Sequence, residues 1–408
     1  MHRIAIIGGG PAGMMAAATA AENGAEVIIL EKNEKLGKKL HITGKGRCNI
    51  TNDTDIQGLL AHVVTNPRFL NSSFHAMDSQ ALLNFPAFRQ VPFKTERGGR
   101  VFPESDKADD INQALARYLG ELGVKVRLNT AVKKISPSFT LEVGDKNEIL
   151  HANAVIIATG GLSYPSTGST GDGYNFAKKF AHTIIPAFPA LVPLITAEEW
   201  IPALEGLSLK NVRCTAKLPN DKKIYEETGE MIFTKNGISG PIILRASTFL
   251  TDKLSARIII DLKPALTPEQ LDARILRDFS KTQNKNFANS LDDLLPKRLI
   301  ETIIALSKIP PNKKVNAITR AERQTLVTLL KNLTLTAVET SGFKEAVITK
   351  GGISTREINP STLMSKKQQG LFFAGEIIDT DAMTGGYNLQ IAFSTGRLAG
   401  LSAAEYVI

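Results

Sequence analysis

The strongest constraint on this chain lies in its first 31 residues. Residues 3–7 (Arg-Ile-Ala-Ile-Ile) form a short apolar run rich in β-branched side chains, the pattern of a strand buried on both faces. Gly8-Gly9-Gly10-Pro11-Ala12-Gly13 follows at once and supplies G-x-G-x-x-G spacing. In such a turn Gly8 permits a tight reversal, Gly10 lets a pyrophosphate approach the backbone, and Gly13 lets helix and strand pack closely. Residues 11–22 predict a helix, with Pro11 suited to its first turn and many alanines for tight packing. Its N-terminus offers free N–H groups and partial positive charge to an anion. Asn23-Gly24 ends it, residues 25–30 predict a second strand, and Glu31 stands at the end of that strand. Glu31 lies 18 residues after Gly13, near the ~20 expected of an acid that holds a ribose hydroxyl pair. This order makes a dinucleotide site the expectation. It does not separate NAD from FAD, although a carboxylate at position 31 disfavours a 2′-phosphate on that ribose.

A chain of 408 residues with 43% apolar and 22% charged side chains reads as globular, in two or three domains. That balance excludes disordered, collagenous and coiled-coil classes. No apolar run approaches the ~18–20 residues of a membrane span. Only four apolar residues separate Arg3 from Gly8, too few for a secretion signal, so a soluble cytoplasmic protein is expected. Cys48 and Cys214 cannot make a disulfide framework, and the six histidines show no ligand spacing, so no metal is expected. The net charge of +9 is scattered in short clusters such as Lys38-Lys39. It reads as solvated surface or cofactor attraction before nucleic-acid binding.

The far end of the chain answers the first motif. Residues 371–374 (LFFA) predict a buried strand ending in Gly375-Glu376, with Asp379 shortly after. Thr384-Gly385-Gly386-Tyr387-Asn388-Leu389-Gln390 then opens a helix that runs to about Tyr406. A glycine turn again leads into a helix whose N–H groups face an anion or polar oxygen. An acid at the strand end can accept from a polyol hydroxyl, and a helix N-terminus can stabilise charge on a reduced flavin. The pairing of first and last segments suits FAD better than NAD.

Four blocks carry a resemblance: Gly8–Gly13, residues 37–52 (GKKLHITGKGRCNITN), Gly99-Arg100-Val101-Phe102-Pro103 and Gly375–Gln390. Together they resemble the BaiN-type family of NAD(P)/FAD-dependent oxidoreductases over essentially the whole chain. The resemblance implies an α/β fold: a glutathione-reductase-type FAD-binding Rossmann domain interrupted by a mixed β-barrel-like and helical insert. It also implies FAD and kinship with tRNA-modifying flavoproteins. No flavinylation motif stands out, so non-covalent FAD is expected, and no second G-x-G-x-x-G directly follows a strand, so NADH or NADPH is expected to bind transiently or to give way to another reductant. The expected division is 1–190, an insert over 191–346, and a return segment over 347–408.

The expected cofactor shell comprises Gly8, Gly10, Ala12, Gly13, Glu31, Lys32, Lys39, Gly44, Arg47, Cys48, Asn49, Val132, Thr159, Gly160, Gly375, Glu376, Asp379, Gly385, Gly386, Asn388 and Leu389. Lys39 and Arg47 are expected to offset pyrophosphate charge, and Asn49 to bond a flavin edge. By resemblance Val132 takes the place of a backbone partner for adenine, and Gly160-Gly161 that of a second glycine turn. Cys48 has no nearby cysteine partner and is expected to pack beside the cofactor rather than react. Tyr387, Arg100 and His41 are the candidate proton donors or orienters. Within residues 91–110, Arg97 and Arg100 are expected to face a substrate anion or the cofactor, although a β-hairpin turn with salt-bridged arginines fits them equally well.

Residues 124–150 read as a β-meander, and 154–159 as a buried strand. Residues 168–173 lead into a helix of about ten residues. Prolines 186, 189 and 193 mark the start of the insert. Short strands are expected over about 195–262, including 212–218, 231–234 and 257–262, and helices over about 267–335. Thr267-Pro-Glu-Gln270 resembles a capping box. The leading function is flavin-dependent hydride transfer from NAD(P)H to a small unsaturated organic substrate. Modification of tRNA, amine oxidation and a non-enzymatic FAD-bound sensor are the alternatives.

Overall fold

A computed structural model describes residues 2–250 and 256–408. Two compact units are present: Met1–Ala190 together with Phe343–Ile408, and Leu191–Gly342.

The first unit is built on a parallel five-stranded sheet in the order Leu371–Phe373, Ala154–Ile157, Arg3–Ile7, Glu26–Leu30, Lys125–Arg127. Ile4, Ala5, Ile6, Val155 and Ile156 are wholly buried, as a sheet covered on both faces requires. The chain leaves the central strand in one direction to Glu26–Leu30 and returns on its other side through Ala154–Ile157. The carboxyl edge beside the central strand is therefore the topological switch point, where open α/β sheets hold their ligands.

Two helices fix this edge: the first, Pro11–Glu22, and the final, Tyr387–Val407. A Cβ on Gly396 would lie 2.4 Å from Ala12 O, and one on Gly400 would lie 2.4 Å from Ala16 O. Both contacts advance by four residues in the same sense, so the helices run parallel with their backbones in direct contact. Gly396 is the tenth residue of its helix and Ala12 the second of its own. The final helix therefore projects eight residues, roughly 12 Å at 1.5 Å per residue, beyond the start of the first.

Three small sheets surround this core. Thr51–Asn52, Arg100–Pro103 and Phe93–Glu96 form one; Val63–Thr65 pairs with Asp381–Ala382; Ile184–Ala190 pairs with Ile348–Ile353. The meander consists of Val132–Ile135, Thr140–Val143 and Glu148–His151. Its expected first part, Lys125–Arg127, belongs instead to the parallel sheet, because it pairs with Ile28, Ile29 and Leu30. The helix expected after residue 168 spans Asp172–Lys179.

The second unit is a closed six-stranded barrel, Leu194–Thr196, Gly237–Ser239, Lys223–Thr234, Ser208–Lys217, Ala256–Asp261 and Leu333–Thr340, with helices at Pro268–Ser280, Lys297–Ser307 and Arg320–Lys331. Thr267 and Gln270 make the reciprocal capping box, and Thr319 with Glu322 makes a second. Several boundaries differ from expectation, among them the end of the unit, at Gly342 where 346 was expected. The strand expected at 231–234 is the end of a twelve-residue strand whose outer part is polar. The helical stretch stops before Leu333, where Leu333, Leu335 and Ala337 alternate inward and close the barrel. Among the described residues no helix is long and apolar enough to cross a membrane.

The helix crossing can be tested. Gly396→Ala adds helix propensity of about 1 kcal/mol. Its Cβ would however press on a backbone oxygen, and overpacking of this kind costs about 1–3 kcal/mol or more. Thermal unfolding should therefore show net loss of stability, with a lower Tm; a raised Tm would refute the close crossing.

Candidate cofactor site

The three motif glycines meet different surroundings. Gly8 has φ +104°, and a Cβ there would lie 2.5 Å from Ala158 O. A Cβ on Gly13 would lie 1.9 Å from Gly8 O. Gly10 has no atom within 4 Å of its Cβ position. The turn is thus closed at Gly8 and Gly13 and open at Gly10, where the first helix presents its N-terminus. Ala12 lies in the first turn of that helix, with its carbonyl at the Gly396 crossing.

Glu31 is buried at the end of its strand. Oε2 accepts from Gly9 N at 2.7 Å, and Oε1 accepts from Asn33 N at 2.8 Å and Asn33 Nδ2 at 2.7 Å. Lys32 bonds Thr170 Oγ at 2.6 Å and pairs with Asp172. Thr130 N donates to Glu31 O at 2.8 Å, which carries the chain past the acid two residues before Val132. Gly160, with φ +73°, follows the adjacent strand, and the buried Thr159 Oγ has no partner among the described residues.

The two most specific sequence blocks touch. With its amide oriented to suit its neighbours, Asn49 accepts from Gly386 N at 3.0 Å and donates to Thr51 O at 3.0 Å and Val101 O at 3.2 Å. Asn52 Nδ2 donates to Gly385 O at 3.1 Å, and Thr51 Oγ donates to Gln390 Oε1. Gln390 Nε2 donates in turn to Met77 O at 2.9 Å. A Cβ on Gly386 would lie 2.2 Å from Thr51 O, and φ is +99°. Asn388 holds the preceding turn by exchanging bonds with Ala382 N and O at 3.0 and 2.8 Å. Leu389 packs against the core. The segment around Gly44 is a tight left-handed turn, with Gly44 at φ +57°, Lys45 at +60° and Cys48 at +58°.

The cations expected to offset phosphate charge are both paired with carboxylates. Lys39 Nζ lies 2.6 Å from Glu376 Oε2, while Glu376 Oε1 accepts from Thr349 N at 2.8 Å. Arg47 spans Glu96 and Asp106 and lies over the Phe102 ring. Gly375 N donates to Thr395 Oγ of the final helix at 2.9 Å. Asp379 accepts from Asn66 Nδ2 at 3.0 Å; burial, with Asp381 close by, pushes its carboxyl up. Asp381 is wholly buried and is also pushed up by burial, against Thr65 and Lys350, which favour its charged form.

Of the three proton-donor candidates, Tyr387 stands at the start of the final helix, stacked on His62 with centroids 4.2 Å apart and an interplanar angle of 7°. Burial raises its phenol, so it stays protonated at neutral pH. Arg100 lies on the hairpin tethered to the same helix through Asn52. His41 turns to another element: Nε2 meets Asn112 Nδ2 at 2.6 Å and Nδ1 lies 3.5 Å from Asp109. Burial and Lys35 lower its imidazole, against Asp109. Thr51, Asn52, Asn66, Asp381 and Gln390 belong to the site's framework but were absent from the expected shell. Four of them sit inside or beside the resembling blocks; Asn66 has no local signal, since its partner is 313 residues away.

A family model described as HI0933-like protein Rossmann domain matches residues 2–402. A 3-dehydro-bile acid delta(4,6)-reductase of Clostridium scindens is 33% identical, over 99% of this chain and 100% of that protein. A ribosomal RNA dihydrouridine synthase of Haemophilus influenzae is 30% identical, over 98% of each. Among solved structures, a 3-ketosteroid-delta4-(5alpha)-dehydrogenase from Rhodococcus jostii aligns with a TM-score of 0.53 at 15% identity, over 99% of this chain and 97% of that one. That likeness is one of fold.

Both thiols are buried in this fold. Burial pushes Cys48 up to about 12, opposed by Thr43; Cys214 reaches about 12 by burial and the Glu227 charge. At pH 8 about one thiol in 10⁴ is then thiolate. Ellman's reagent should titrate neither cysteine promptly in the native protein and both after denaturation. Prompt reaction of a native thiol would contradict this burial.

Proposed function

The chain belongs to the HI0933-like Rossmann family, and from that premise we propose that it reduces a carbon–carbon double bond conjugated to a carbonyl in a small organic molecule, using FAD and a hydride from NADH or NADPH. The observation that carries the reading is the pair of parallel helix N-termini, offset by roughly 12 Å along one edge of the sheet. Two positive helix ends at that spacing suit the central pyrophosphate and the ring end of an extended dinucleotide better than a single phosphate. The residues present fit FAD. Gly10 leaves open room for the pyrophosphate, Glu31, fixed by Gly9 N and Asn33, keeps acceptor capacity on Oε2 for a ribose hydroxyl, and Glu376 or Asp379 can accept from a polyol.

When bound, FAD would supply the two-electron redox chemistry. The protein's part is positioning and proton supply. Asn49, Asn52 and Gln390 lock the Gly385–Gly386 turn, so that the N-terminus of the final helix faces one direction and can stabilise negative charge there. Tyr387 holds a proton on Oη that it can hand to the carbon next to the substrate carbonyl. The bile acid reductase relative acts on a substrate of this class by its name.

A second reading is reduction of a pyrimidine in RNA. Its C5=C6 bond is likewise conjugated to a carbonyl, the H. influenzae relative is named for that product, and the net charge of +9 favours a polyanion.

The visible spectrum of the purified protein tests the cofactor, and anaerobic NADH or NADPH tests the donor. Flavin bands that bleach support the reading. Bands that persist with both nucleotides refute NAD(P)H as donor, and a protein that neither contains nor takes up FAD refutes the whole. Glu31→Gln should weaken FAD binding about tenfold to a hundredfold, the worth of charged hydrogen bonds of about 1.5–3 kcal/mol. Fluorescence titration of the apoprotein measures this. Tyr387→Phe should keep FAD but lower kcat about 10²-fold or more, as loss of a general acid does. An unchanged kcat would remove Tyr387 from proton transfer.

A further inference from the structure

The hairpin Phe93–Glu96/Arg100–Pro103 reverses through Arg97-Gly98-Gly99, with both glycines left-handed at φ +79° and +71°. Its tip is fastened to the rest of the site. Asn52, paired opposite Arg100, donates from Nδ2 to Gly98 O at 2.9 Å as well as to Gly385 O at 3.1 Å. Asp53 N donates to Gly99 O at 2.6 Å. One buried side-chain amide therefore ties the hairpin tip to the glycine turn that opens the final helix.

At the reversal itself Arg97 and Arg100 stand beside one carboxylate of the hairpin, Glu96. Glu96 and Asp106 face Arg47, Lys94 and Arg100. Arg47 engages both carboxylates, Lys94 takes Asp106 at 2.7 Å, and Arg100 reaches Glu96 only at 3.4 Å. Arg97 is exposed and pairs with no carboxylate among the described residues. Asp53, the further acid at this tip, accepts from Gln80 at 3.0 Å. Arg100 is itself held, donating from Nε to Arg97 O at 3.1 Å with its guanidinium 5.8 Å from the Phe102 centroid. Two arginines under-supplied with carboxylate thus stand on a rigid turn beside a helix N-terminus, which adds positive potential.

We propose that Arg97 and Arg100 form an oxyanion-receiving arm that selects substrates bearing a carboxylate or a phosphate in addition to the reducible bond. The inference rests on the reading that the glycine turn of the final helix borders the reaction site. A guanidinium offers paired donors in a plane that matches either oxyanion; Arg97 meets a ligand without first breaking an ion pair, and Arg100 gives up only its 3.4 Å contact with Glu96.

The test uses the FAD-loaded protein and two pairs of probes, trans-cinnamate with cinnamamide and uridine 5′-monophosphate with uridine. Binding is read from the perturbed visible flavin spectrum at low and high salt. The charged member of at least one pair should bind tenfold or more tightly than its neutral partner, and less tightly as salt rises. Arg97→Ala and Arg100→Ala should each reduce that preference to threefold or less with FAD content unchanged. Arg97→Lys should keep part of it, because the charge remains and the fork is lost. Preference for cinnamate identifies a carboxylate, and preference for the nucleotide a phosphate. Equal binding within both pairs, a preference that survives both alanine variants, or no binding of any probe at millimolar concentration overturns the proposal. Absence of flavin bands from the wild-type protein refutes the cofactor reading instead, and calorimetry with the same probes then decides the anion preference.

Discussion

The backbone contact between the first and final helices is the constraint on which the rest depends. Gly396 and Gly400 sit where any side chain would meet Ala12 O and Ala16 O. This contact brings together segments separated by nearly the whole chain. It lets Gly375 N reach Thr395 Oγ, and it sets how far the final helix projects past the phosphate turn. Alanine-rich sequence in residues 12–20 is therefore a geometric requirement: larger side chains would push the axes apart to the usual 8–10 Å and lose the register between the two glycine turns.

A web of neutral amides and hydroxyls holds the second turn. Asn49, Thr51, Asn52 and Gln390 are uncharged, yet they carry almost all its fixed geometry. Neutral groups can be buried when each finds a partner, whereas a buried charge needs a counter-charge or shifts its protonation. The carboxylates nearby obey the second rule. Glu376 has Lys39 and a backbone amide, Asp379 has Asn66, and burial pushes Asp379 and Asp381 toward their neutral forms.

Much of the frame was legible from the chain alone because it is local. A β-branched run, a glycine turn and an alanine-rich helix follow one another within 22 residues, and each reports its own conformation. The capping box at Thr267 and the strand at 154–157 were readable for the same reason. The errors fall where tertiary pairing decides. Lys125–Arg127 has no apolar alternation to distinguish a parallel edge strand from a meander strand, and only its pairing with residues 28–30 assigns it. The outer half of Lys223–Thr234 is polar because that strand's exposed part carries pairs such as Lys223–Glu226. Asn66 could not be found at all, since its role exists only opposite Asp379.

The same distinction explains the cations. Lysines and arginines in a glycine-rich loop look from sequence like phosphate partners, because composition records charge but not where a counter-charge will arrive. The fold delivers Glu376 to Lys39 from 337 residues away, and Glu96 and Asp106 to Arg47 from 49 and 59 residues away. With those side chains paired, the positive potential left for a pyrophosphate at Gly10 comes chiefly from the N-terminus of the first helix. A helix dipole does not move, loses no rotamer freedom and cannot be titrated. On the proposed reading, anion recognition in this unit is divided: the fixed backbone site at Gly10 would face the part of the ligand that stays in place, while the under-paired arginines stand on a separate, side-chain-built arm at the hairpin tip.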